Sequence, residues 1–279
     1  MFAGASDVAA AVFTRYGRHR GSVLAAGFAF YSLLAIVPSA IALGSIAALL
    51  GDANALIEAL DRAVQRVPSL QGAAQETVTG LLRVVEQTSS SSFGLTTIVS
   101  GLLAVYAASR VFVTVTAILD LAFNRPVRER SWLVRIASTV LTLVLLLVVV
   151  LGFVALQALP PVLNAVGAGD GIATALRWSA IPLALAAAFV VFSSAYRWGT
   201  PRSVTIGWLN RGGAVAMVIA VIGTVGTTLY IKLSASLGAA IAVLGGAVIV
   251  QLWLYVVGIA LVSGAEVEAV LIEDQDAAA

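Results

Sequence analysis

The stretch FGLTTIVSGLLAVYAASRVFVTVTAIL, residues 93–119, decides how the chain is read, because its only charged side chain is Arg110. A bilayer core of about 30 Å is crossed by roughly 20 apolar residues wound as a helix. This run is long enough to cross. Five further runs of the same kind lie at 27–50, 132–159, 175–196, 213–231 and 239–263. Irregular backbone cannot face lipid, and a membrane barrel would show short alternating strands instead. The expected fold is therefore all-α, a polytopic membrane protein with six transmembrane helices.

Composition agrees. The chain has 279 residues, of which 60% are hydrophobic and 11% charged, against about 45–50% and 25% in an ordinary soluble domain. Its mean hydropathy is +1.02. The 16 Lys and Arg and 14 Asp and Glu are too few to cover a water-soluble surface of this size. A formal charge of +2 leaves no electropositive footprint for nucleic acid, so no nucleic-acid partner is expected. There is no cysteine, which removes disulfides, thiolate ligands and thiol nucleophiles, and His19 is the only histidine. Residues 6–20 are polar and the first apolar run is long enough to span, so no cleaved signal peptide is expected. P-loop, dinucleotide-binding and HExxH patterns are missing, and neither a cofactor nor an enzymatic activity is expected.

Cytoplasmic connections carry an excess of Lys and Arg. Arg15, Arg18 and Arg20 precede the first run, Arg125, Arg128, Arg130 and Arg135 lie around the second connection, and Arg197, Arg202 and Arg211 lie around the fourth. The opposite side has Arg62, Arg66, Arg83, Arg177 and Lys232. Ten against five places both termini in the cytoplasm.

Three parts flank this transmembrane domain at 27–271. Residues 51–92 carry apolar positions at helical spacing on either side of Pro68, which predicts a small extracytoplasmic helical cap. In residues 1–26, Val8, Val12, Phe13 and Tyr16 recur at three- and four-residue intervals beside arginines, the pattern of an interfacial helix on the cytoplasmic leaflet. Residues 272–279 read as an acidic cytoplasmic tail. No residue-level repeat relates the first three runs to the last three.

Arg110 is the leading candidate functional residue, since a charge at mid-span costs about 2.5–3.5 kcal/mol on insertion scales. Tyr106 and Thr114, four residues to either side, share its helical face. Asp120 is about 15 Å further along the helix, so a partner must come from another helix or from water. One reading is a polar cavity in which the guanidinium binds a phosphate or carboxylate; the other is a structural interhelical bond. Gln251, in the last run, is the second mid-span polar group and either lines the same route or joins two helices. Pro38 and Pro182 free backbone carbonyls in the first and fourth runs, marking a pathway or a plain kink. Gly223, Gly226, Gly245 and Gly246 suit close helix packing, and Trp132, Trp178, Trp198 and Trp208 suit interfacial anchoring. Glu58, Asp61, Glu76 and Glu86 read as a solvated face.

Several stretches occur in the order of a known family. Residues 25–38, AAGFAFYSLLAIVP, resemble the first-span signature of the YihY/BrkB family of bacterial inner-membrane proteins, and this stretch adds Tyr31 to the candidates beside Pro38. Ala195-Tyr196-Arg197, then Pro201, Val204, Trp208 and Gly213-Ala214, resemble that family's connection into its fifth span. Trp253-Leu254-Tyr255 and Gly264-Ala265-Glu266 resemble its closing segment. Asp120 stands where the family commonly has Asn, and Ser236-Leu237-Gly238 replaces a more usual Tyr-Gly-Ser. The resemblance implies a six-span protein tied to envelope integrity, with the lipid bilayer as its surroundings and an anionic lipid or lipopolysaccharide precursor as its partner. The name ribonuclease BN, also attached to the family, implies metal or acid–base chemistry and a wet basic groove that the sequence does not display. The leading expectation is a transporter or flippase-like protein for an anionic envelope lipid or small solute. Its rival is a non-transporting scaffold that organises the envelope.

Overall fold

The computed structural model describes residues 4–49, 95–127, 170–200, 204, 206–234 and 239–278. The expected third span at 132–159, the insertion at 51–92 and the connector at 236–238 lie outside these residues. All regular structure among the described residues is helical: α1 (Ala5–Arg18), α2 (Gly21–Leu49), α3 (Leu95–Ala122), α4 (Asp170–Gly199), α5 (Arg211–Ser234) and α6 (Ala239–Ala278). Three segments are long and apolar enough to cross a membrane, Ile98–Ala122 in α3, Arg211–Tyr230 in α5 and Val248–Ala277 in α6. The described part of α2 also contains the shorter apolar helix Gly21–Ile36.

Local chemistry sets the helix ends. α1 has Asp7 in its first turn and Arg15 and Arg18 in its last, the polarity that suits the helix dipole. The chain then turns sharply because Arg20 adopts φ 52°, in the left-handed region. Gly21 follows directly, where a Cβ would come within 2.6 Å of the Tyr16 ring. As a result α2 begins at Gly21, ahead of the apolar run that starts at residue 27. Pro38 and Pro182 both lie inside continuous helices, α2 and α4.

α6 is the hub. It packs against α1, α2, α3 and α5, while α2 and α3 form a second close pair. Glycines set the distances between them. A Cβ on Gly258 would lie 2.7 Å from the Ala25 carbonyl oxygen, so α2 and α6 meet almost backbone to backbone. Gly212 and Gly264 create an equally close crossing of α5 and α6, where a Cβ on either would meet the other's carbonyl oxygen within 3 Å.

The buried core sits at the end of the bundle that α1 closes. It includes Ile118, Leu119 and Phe123 of α3 and the turn after it, Tyr196 of α4, Ile206, Ala216 of α5, and Leu261, Val262 and Ala265 of α6. Toward the other end Leu102, Leu103, Ile222, Val225, Leu229 and Val248 are exposed. The molecule thus has one tightly packed end and one whose described helices present apolar faces outward.

α6 does not stop where the apolar run ends. The acidic residues that read as a tail continue the helix to Ala278, because 264–278 contain no proline and, after Gly264, only good or tolerable helix formers. Residues in this extension pack against the rest of the protein instead of leaving it.

Candidate functional site

Arg110 lies in α3 with its guanidinium turned toward α2. Its Nη2 donates a hydrogen bond to the Tyr31 hydroxyl at 3.3 Å, and the guanidinium carbon stands 5.1 Å from the centroid of the same ring. Tyr31 is held in turn by an edge-to-face contact with Phe30, with ring centroids 5.4 Å apart. Arg110 Nε is buried and has no hydrogen-bond partner among the described residues. The partner expected from another helix is therefore a neutral phenol, which supplies an acceptor and a π face but no countercharge.

The other residues singled out in the sequence divide into neighbours and bystanders. Thr114 donates its hydroxyl to the Arg110 backbone carbonyl at 2.9 Å, and its methyl group faces Gly27, where a Cβ would be 4.0 Å away. It shapes the α2–α3 contact. Tyr106 is 56% exposed, one turn from Arg110 toward the open end. Pro38 lies two turns beyond Tyr31 and, lacking an N–H, cannot bond the Leu34 carbonyl. Gln251 has a buried Oε1 with no partner among the described residues. Counted from the Ala25–Gly258 crossing, Tyr31 and Gln251 are displaced by about 9 and about 10.5 Å along their antiparallel helices. They share one level of the bundle.

A second polar constellation lies at the packed end, and sequence reasoning missed it. His19 Nδ1 is 2.6 Å from Glu266 Oε1, joining the α1–α2 turn to α6, and Glu266 is 1% exposed with its Oε2 unpartnered among the described residues. Arg15 forms a two-pronged ion pair with Glu273, and Asn124 Nδ2 donates to the same carboxylate at 3.2 Å. The Arg15 guanidinium, with help from Asn124, holds the Glu273 carboxyl below its usual range. Arg18 Nη2 reaches Asn124 Oδ1 at 3.4 Å, and Asn124 has φ 52°. One end of α1 is thereby tied to both α6 and the end of α3.

Further round the same end, Glu268 Oε2 accepts the Gly212 N–H at 2.7 Å and Asn210 Oδ1 accepts the Gly213 N–H at 2.7 Å, which caps α5. Tyr196, fully buried, donates to the Leu261 carbonyl at 2.9 Å. Arg197 Nη1 donates to the Ile206 carbonyl at 2.8 Å and lies 5.0 Å from the Trp208 ring centroid, while Trp198 meets Trp208 edge to face. Two weak signals in the sequence pointed this way. His19 is the sole histidine, and Tyr196 and Glu266 sit in the family-like motifs; spacing alone could not pair residues some 247 positions apart.

Chemically, the mid-helix level offers a permanent cation with a free Nε–H beside a phenol O–H, while the proline-freed carbonyl and the Gln251 amide oxygen are acceptors that take no part in holding an anion. It suits an anionic oxygen ligand. The packed end is a set of matched charges and caps that holds helices together. No cluster of three or more metal-ligating side chains occurs among the described residues.

Comparison with known proteins places the chain. A Bacillus subtilis (strain 168) protein named "Putative ribonuclease-like protein YfkH" is 25% identical over 276 residues, which cover 93% of each chain. No solved structure matches. The model of the family described as Virulence factor BrkB matches residues 12–279. With almost its whole length matched, and with helices apolar enough to span a bilayer, the chain belongs to the BrkB family of membrane proteins.

Proposed function

We propose that this protein is a transporter or flippase-like protein of the bacterial inner membrane. It spans the membrane six times, with both termini in the cytoplasm, and moves an anionic envelope lipid or small anionic solute. The observation that carries this reading is Arg110, a charge in a membrane-length helix whose Nε is buried and unpartnered and whose described neighbour, Tyr31, brings no negative charge. Ionisable groups at such depth are costly and mark substrate or ion pathways. A purely structural arginine would be expected to spend its donors on carbonyls or carboxylates of adjacent helices.

The surroundings support the same reading. Arg110, Tyr31 and Gln251 lie where the bundle changes from packed to open, and Arg110 Nε is a buried donor left unused among the described residues. A substrate oxygen at Arg110 would supply the missing partner. The experiment is translocation of a fluorescent anionic lipid, and separately of a small anion, in liposomes reconstituted with the purified protein. Arg110→Ala is expected to slow one of the two. Equal rates for the wild type and the variant on both substrates would leave a scaffold role, and metal-dependent RNA cleavage by the purified protein would replace both readings.

A further inference from the structure

Arg110 divides α3 in two. Toward the packed end Thr116, Ile118, Leu119 and Asp120 are buried, whereas toward the other end Leu103 is 51% and Tyr106 56% exposed. These two lie seven and four residues before Arg110, so the exposed stripe on α3 leads along one face to the guanidinium. α2 has a matching stripe, with Phe30 56% and Leu34 44% exposed on either side of Tyr31. The α2–α3 seam is therefore apolar and open outside, and ends inside on one cation.

A soluble anion would have to shed its water to travel along this seam and would gain only Arg110. A phospholipid's phosphate must shed water as well, but its acyl chains hold it in the apolar phase beside the seam, so it meets Arg110 at a high effective concentration that a soluble anion lacks. The donors also have the right form. Nε–H and Nη2 point to the same side of a guanidinium and can grip two oxygens of one phosphate. The Tyr31 hydroxyl accepts from Nη2, which leaves its own proton to donate to the ligand.

We infer that a net-anionic phospholipid, one whose phosphate is not balanced by a cation in its own headgroup, binds laterally at the α2–α3 seam. Its phosphate sits on Arg110 and Tyr31, and its acyl chains lie along Phe30, Leu34, Leu103 and Tyr106. This rests on the transport reading and narrows its substrate from any anion to a lipid that enters from the bilayer.

The test is photocrosslinking in phosphatidylcholine nanodiscs, using trace phosphatidylglycerol with a diazirine in its acyl chain and a phosphatidylcholine probe of the same design. The anionic probe is expected to label peptides containing 30–34 and 103–106 about tenfold more than the neutral probe. Arg110→Gln should remove that preference, and excess inorganic phosphate should not compete. Leu103→Trp, on an exposed face, should reduce labelling without lowering thermal stability, which covers the case of an Arg110 variant that fails to fold. Labelling that is equal for both probes, indifferent to both substitutions, or displaced by inorganic phosphate overturns the site. Labelling without translocation would leave the lipid site standing and sink the transport reading. Arg110-dependent translocation without labelling at the seam would do the reverse.

Discussion

Glu268 Oε2 accepts the Gly212 amide hydrogen at 2.7 Å, so a carboxylate on α6 caps the first turn of α5. The pairing is possible only because residue 212 is glycine; a Cβ there would come 2.4 Å from the Gly264 carbonyl oxygen and 2.9 Å from Glu268 Cβ. The first amides of a helix lack intrahelical acceptors and carry the positive end of its dipole. A buried acid is thus stabilised by backbone, and the acidic end of α6 has a structural role that its charge alone does not disclose.

Glu268→Ala should lower the stability of the detergent-solubilised protein by about 1–3 kcal/mol, the cost of a buried donor left without its acceptor. Glu268→Gln keeps an acceptor oxygen and should lose less. Denaturant titration decides it, and an alanine variant as stable as the wild type would remove the cap from the account.

Two glycine substitutions should have opposite signs. Alanine stabilises a helix interior by about 1 kcal/mol over glycine, and Gly226 has open space where a Cβ would go, so Gly226→Ala should be neutral or stabilising. Gly258→Ala must push its methyl group against the Ala25 carbonyl oxygen at 2.7 Å and separate α2 from α6. Its melting temperature should fall below that of the wild type. A fall of the same size in both variants would show that helix propensity, not the seam, is being measured.

The docking of α1 should depend on pH through Glu273, which lies ten residues beyond the end of the apolar run at 239–263. Arg15, first through its hydrogen bond, holds this carboxyl below its ordinary value. The pair therefore contributes above the unfolded carboxylate range, and that contribution is lost as pH falls through the lowered folded value. Because Glu273 is 43% exposed, a double-mutant cycle between Arg15→Ala and Glu273→Ala should give only about 0.2–1 kcal/mol. The protection factors of amides across Ala5–Arg18, taken relative to the intrinsic exchange rate at each pH, should fall on acidification in the wild type and change less in Glu273→Gln.

Tyr31→Phe separates the two ways in which the phenol serves Arg110. Phenylalanine keeps the ring under the guanidinium but removes the acceptor at 3.3 Å. Translocation should fall about 2–10-fold, as expected for roughly 0.5–1.5 kcal/mol of lost hydrogen bonding, and Arg110→Ala should reduce it further. If Tyr31→Phe is as damaging as Arg110→Ala, the hydroxyl is essential to the substrate and is not merely a support for the cation.

The amino-acid sequence by itself determined the class of this protein and its most unusual residue. Long apolar runs need no tertiary context to be recognised, since the bilayer sets their length and every backbone group is satisfied within a helix. A lone charge such as Arg110 in one of these runs stands out for the same reason. Only the tertiary structure decided what that charge meets, because Tyr31 is 79 positions away on another helix and carries no charge to betray the pairing. The ties of His19 to Glu266, Arg15 to Glu273 and Glu268 to Gly212 were hidden similarly. Helical spacing shows which residues share a face, but which faces meet follows from backbone approach at Gly258, Gly264 and Gly212, and that depends on the packing of the whole bundle.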